Sequence, residues 1–222
     1  MTPCNIAGMA ALAGLDIVAL TDHNTTRNCP AFFAAAEKNG ILPIAGAELT
    51  TAEDIHIVCL FPDLAAAAAF DEDIQQHRTF ILNRTDIFGE QLILNAQDEI
   101  IGCEPHLLSN ATDISVDNVL DYIAQFGGIC YPAHIDRQAN GMLATLGAFP
   151  PVPDFPCAEL FDMTQGSALA AMHPILNQKR LLFGSDAHYL WDIPDKAHFL
   201  ESADTFDGVA AMQKQLLEGL KA

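Results

Sequence analysis

The sequence predicts an α/β fold. Helical and strand-like segments alternate along the chain, and short apolar strand runs are followed by clusters of polar residues. No fixed-period repeat or low-complexity linker breaks the alternation. Half of the 222 residues are hydrophobic and only 18% are charged, enough apolar material for one sizeable core. We read 1–222 as a single domain.

The elements follow in order. Thr2-Pro3 has the form of an N-cap with proline in the first turn, predicting a helix to about Ala13 with Gly14 as its stop. Residues 17–20 are a short buried strand, and 28–39 a helix closed by Gly40. Residues 41–49 and 55–61 are the next strands, and 64–88 read as one long helical stretch. Two apolar clusters flank the polar residues 95–99, which suits a hairpin or a small insertion around 89–112. Residues 115–126 form an amphipathic helix stopped by Gly127-Gly128, and 129–132 a strand. Prolines at 150, 151, 153 and 156 make 137–156 an irregular loop. Residues 158–161 and 181–183 are strands, and 206–220 a closing helix.

Composition narrows the function. No apolar run approaches the roughly 18 residues of a membrane span, and no secretory leader pattern opens the sequence. The six cysteines show no C-x-x-C spacing, and Cys59, Cys103, Cys130 and Cys157 sit in apolar surroundings, which points to reduced, structural thiols and a cytoplasmic protein. The net charge is −19, with no run of Lys or Arg, so a long nucleic acid is not an expected partner. Small anions are acceptable where bound cations reverse the local field.

The chemistry lies at the strand ends. Thr21-Asp22-His23-Asn24 follows the first strand and Glu48 ends the second. His56 sits in the third, His134 follows residues 129–132, and Ser185-Asp186-Ala187-His188 follows the last. In parallel barrels such ends converge on one rim. Each residue alone has a plainer reading: His56 as a core histidine, Asp22 as a helix cap, Glu48 and Asp186 as carboxylates paired with a base. Together they favour cations, because Lys and Arg number only ten and buried charge needs a partner. Histidine and carboxylate suit zinc, manganese or iron, and so many groups imply two or three ions. His77, His106, His173 and His198 do not fit and read as surface or packing residues.

The strings Thr21-Asp22-His23-Asn24, Gly46-Ala47-Glu48, Ile55-His56-Ile57, Pro132-Ala133-His134 and Ser185-Asp186-Ala187-His188 resemble, in order and spacing, the polymerase-and-histidinol-phosphatase (PHP) superfamily. The resemblance implies a distorted seven-stranded (β/α) TIM-like barrel and a metal-dependent phosphoesterase. It implies that Glu48 bridges two metals, that His56 and His134 complete one site, and that Asp186 binds the other. His23 and His188 resemble ligands of a third ion, with Asp22 orienting His23 or a water. Asp22, Glu48 and Asp186 are thus the expected catalytic carboxylates, and Arg137 an expected phosphate ligand. The family's opening H-x-H motif precedes the segment matching Thr2-Pro3, so the expected barrel lacks its first strand, some metal sites are depleted, and open edges invite homo-oligomerisation. The expected function is hydrolysis of a small phosphate monoester or short nucleotide. The alternatives are a metal-binding protein without turnover and a C–N hydrolase.

Overall fold

The computed structural model describes residues 1–199, 213, 215 and 217–220. Helix α1 (Pro3–Leu12) begins as its sequence requires. Thr2 is extended, its hydroxyl accepts from the Asn5 amide, and Gly14 beyond the helix takes φ 74°, a conformation that costs glycine little. Strand β1 (Ile17–Leu20) precedes α2 (Cys29–Lys38), which Gly40 closes at φ 70°. Strands β2 (Leu42–Thr50) and β3 (His56–Phe61) lead to α3 (Leu64–Asp73) and the short α4 (Thr85–Phe88). A hairpin of β4 (Leu92–Leu94) and β5 (Ile100–Cys103) occupies the 91–103 region. Then come α5 (Val119–Ala124), β6 (Ile129–Pro132), α6 (Met142–Leu146), β7 (Cys157–Leu160), α7 (Gly166–Met172) and β8 (Arg180–Phe183).

The class is α/β, but among the described residues the strands close no seven-membered ring. One sheet has the order β1-β2-β3-β6, and β7 pairs with β8 in a separate sheet. The main sheet is mixed: β1 runs parallel to β2, whereas β3 is antiparallel to both β2 and β6. Connection length explains this. Residues 51–55 join β2 to β3, far too short for a parallel crossover of a dozen or more residues. The β1–β2 and β7–β8 connections carry helices, and those pairs are parallel.

Alternation along the strands makes two cores. Ala45, Ala47, Leu49, Ile57, Cys59 and Phe61 face the larger one, with Phe32 of α2, Phe70 of α3 and Ile123 of α5. Leu42, Ile44, Val58, Leu60, Ile129 and Cys157 face the smaller one, where Leu217 and Leu220 also pack. By the same alternation Glu48, His56 and Glu159 belong to the smaller-core face, not the helix-covered face.

Three further expectations change. The helix expected over 64–88 stops at the 3-10 turn Ile74–His77. Arg78 there turns extended and buries its guanidinium beside Glu104, an attraction that helical periodicity does not register. The helix expected over 115–126 shortens to α5. The loop of 137–156 contains α6, and the sequence reading gave no helix at α7. Residues 213, 215 and 217–220 of the closing helix are helical, and the rest of it lies outside the described residues. No helix among the described residues is long and apolar enough to cross a membrane.

Candidate metal centre

Backbone pairing places His23 and Glu48 side by side. Past the end of β1, His23 forms a parallel bridge with Glu48; the Glu48 amide donates to the Asp22 carbonyl at 3.0 Å and the Asn24 amide to the Glu48 carbonyl at 3.0 Å. Asn24 is fully buried at φ 48°, which asparagine tolerates better than most residues. Its side chain accepts from the Thr50 amide and donates to the carbonyls of Leu108 and Asn110. His56 reaches the same rim for a different reason. Because β3 runs backwards, its first residue lies opposite Thr50 at the end of β2, one diagonal step from Glu48. His134 follows β6 at φ 27°, a left-handed conformation of the kind that clusters at functional sites.

These elements converge on one carboxylate. Glu48 Oε2 lies 3.1 Å from His23 Nδ1 and 3.3 Å from His56 Nδ1, and Glu48 Oε1 lies 3.3 Å from His134 Nε2. His56 Nδ1 and His134 Nε2 are themselves 3.2 Å apart. Two ligand groupings result: His23, Glu48 and His56; and Glu48, His134 and Asp186.

The other side is more open. Asp186 follows β8 at φ 47° and pairs with Arg137, whose guanidinium lies over the Phe161 ring at 4.5 Å. His188 Nδ1 is 2.8 Å from the Asp186 carbonyl and donates to it. The His188 and His23 ring centroids are 6.3 Å apart. The Asp22 carboxylate accepts from the Asn28 side-chain amide at 3.0 Å, and Asn28 also binds the β4 backbone.

Comparison with known proteins decides the family. The PHP domain profile matches residues 2–113, half of the chain. The chain belongs to the PHP domain family. No curated protein matches its sequence. Among solved structures, this PHP chain is similar to the lesion-specific endonuclease PfuEndoQ from Pyrococcus furiosus (17% identity, TM-score 0.55, covering 85% of this chain and 44% of that one). It is equally similar to a protein from Bifidobacterium adolescentis named a metal-dependent phosphoesterase (17%, TM-score 0.55, 85% and 82%). Endonuclease Q bound to a 27-mer duplex with an abasic lesion is a third (17%, TM-score 0.52, 96% and 51%). The chain therefore spans about half the length of the endonucleases.

The PHP family is metal-dependent, and the donor set here suits a divalent ion. Ligand atoms about 2.0–2.1 Å from a tetrahedral ion stand roughly 3.4 Å from one another, close to the 3.1–3.3 Å spacings around Glu48. Among the described residues, His23 Nδ1 and His134 Nδ1 are buried without a hydrogen-bond partner; the 3.1 Å approach of His23 to Glu48 has the distance of a bond but not its direction. Charge agrees. Burial raises the Glu48 carboxyl, but the His134 and His56 rings outweigh it and hold the group well below the ordinary carboxylate range. Burial lowers the His134 ring, yet Glu48, Asp186 and Glu159 raise it further, so the net shift is upward. Burial keeps the His23 pKa low despite Glu48, and raises that of Asp22 despite Asn28.

Glu159 escaped the sequence reading. It is 7% exposed, its Oε1 accepts from the His134 amide at 3.3 Å, and burial pushes its pKa up to about 7. The signal was an acidic residue inside an apolar strand, the same signal that marked His56. The remaining histidines lie in other contacts. His77 pairs with Asp113 and Asp73, His106 with Glu104, and His198 stacks on Phe183. His173 caps α7.

Proposed function

We propose that this PHP chain hydrolyses phosphate esters with divalent cations held by His23, Glu48, His56, His134, Asp186 and His188. The convergence of three histidine nitrogens on the Glu48 carboxylate carries this reading. Zinc, manganese or iron would suit these donors, in two or three positions around a shared Glu48. Bound there, such ions would neutralise phosphate oxygens and lower the pKa of water at the site. Arg137 supports phosphate with paired donors, braced by Phe161 and turned toward the centre through Asp186. Asp22 acts through Asn28, fixing the loop that carries His23. The two sheets are read as arcs of one barrel-like wall, joined where the Ile135 amide donates to the Glu159 carbonyl at 2.9 Å.

The substrate in this proposal is a small monoester or short nucleotide, because a net charge of −19 disfavours a long polyanion. The endonuclease Q fold carries a duplex with an abasic lesion, so that duplex belongs in the test panel. The experiment is phosphate release from an aryl phosphate and a mononucleotide, and strand cleavage of an abasic duplex, each with added Mn²⁺. Activity is expected on the first two, and Glu48→Ala should lose at least ~100-fold, more than an outer hydrogen-bond partner of a metal ligand costs. One observation favours a second reading, metal binding without turnover: Asp186 is already paired with Arg137. Tight binding of a single ion per chain with no release from any substrate would establish it.

A further inference from the structure

Glu159 stands in β7 on the face of the smaller core, where its neighbour two residues back is the buried Cys157. A carboxylate there is costly to bury, and an apolar residue would fill the position more cheaply. Its contacts show what it does. The Glu159 carboxylate accepts from the His134 amide, and the Glu159 carbonyl accepts from the Ile135 amide. These two bonds clamp the chain just after β6, where His134 is held at φ 27°. A Cβ built on Gly184 would land on the Glu159 carboxylate, so glycine at 184 leaves the notch the carboxylate fills. Gly184 is two residues from Asp186. One side chain thus lies between the segment presenting His134 and the segment presenting Asp186.

We infer that Glu159 is a positioning residue of the metal centre, holding His134 against Glu48 through the His134 amide in the notch opened by Gly184. The inference rests on the metal-centre reading above. It explains why a strand that otherwise turns apolar residues inward retains an acid.

The test is chelator competition for Zn²⁺ or Mn²⁺ on the full chain, with far-UV circular dichroism and Tm of the metal-free variants. Glu159→Ala should bind the ion about 10–100-fold more weakly, the usual effect of losing a group that orients a ligand. Glu159→Gln keeps an oxygen acceptor at the same reach and should stay within about threefold of wild type, because the amide bond and not the charge is what counts. Gly184→Ala should weaken binding as Glu159→Ala does, and the double variant should be no weaker than either single one. Wild-type affinity in Glu159→Ala overturns the inference. So does a loss in Glu159→Gln equal to that in Glu159→Ala. If Glu159→Ala does not fold, Gly184→Ala decides the matter with the carboxylate intact. A wild-type chain that binds no divalent ion sinks the metal-centre reading and this inference with it, whereas an ion bound equally by wild type and variants sinks the inference alone.

Discussion

His134 and His188 both sit in loops just after strands, yet the His134 side chain is 3% exposed and that of His188 is 60% exposed. Their neighbours differ in how they are held. Glu48 and His23 are fixed by main-chain bonds across β1 and β2, and His56 by β3 and β6: its amide donates to the Asn140 carbonyl and its carbonyl accepts from the Ala133 amide. Asp186, Arg137 and His188 are held mainly to one another, by an ion pair and one ring-to-carbonyl bond. A ligand set locked by backbone loses little entropy on capturing an ion, whereas one held by side chains can rearrange around a substrate. Under the proposed function, the buried side would bind the ion tightly and the open side would handle phosphate.

The strongest way to break this contrast is to remove one histidine from each side. His134→Ala should weaken the tightest divalent site by at least ~100-fold, beyond the loss caused by a mere orienting group. His188→Ala should leave that site within about twofold, as expected of separated positions, while lowering turnover. Chelator competition and phosphate release on the same preparations measure both. Equal losses of affinity would erase the distinction between the two sides.

Much of this was legible in the residues, and the parts that were not have physical causes. Thr2-Pro3, Gly14 and Gly40 mark helix ends through local backbone chemistry, which needs no tertiary information. Glu48 and His56 stand out because they interrupt apolar strands. The direction of β3 was also readable, since only five residues separate it from β2, although the barrel expectation assumed parallel neighbours. The break after Ile74–His77 was not readable, because it depends on Arg78 meeting Glu104 from the far side of the β4–β5 hairpin. Neither was the partner of Asp22: its neighbour in sequence is His23, but its hydrogen bond goes to Asn28.

A smaller effect sharpens the reading of the open side. Arg137→Ala should raise KM for a phosphate substrate about 10–100-fold, the value of a charge-assisted hydrogen bond. Arg137→Lys should recover only part of that, because an ammonium lacks the paired donors of guanidinium. Neither change should weaken the tightest ion, since Arg137 pairs with Asp186 and would compete with a cation there. Steady-state kinetics beside the chelator titration separates the two readouts. A fall in ion affinity in Arg137→Ala would move Arg137 from the substrate side to the ion side.

The smallest expected effect is a pH dependence, and it belongs to the buried side. Burial lowers the His134 pKa, but the contact with Glu48 and the charges of Glu48, Asp186 and Glu159 raise it more, leaving it above 6.5. In the metal-free protein that shift stabilises the fold fully below pH 6.5 and fades as pH rises through the raised value. An ion competes with the same proton, since a ligating histidine must be neutral. The Tm gain on adding Zn²⁺ or Mn²⁺ should therefore be smallest below pH 6.5 and grow as pH rises above it. His23 shifts the opposite way: burial, the largest cause, lowers its pKa despite the Glu48 charge. Thermal melts at fixed ionic strength should accordingly keep their slope in His23→Asn and lose most of it in His134→Asn. A slope that survives loss of His134 but not loss of His23 would reverse the assignment of which buried histidine exchanges its proton for the ion.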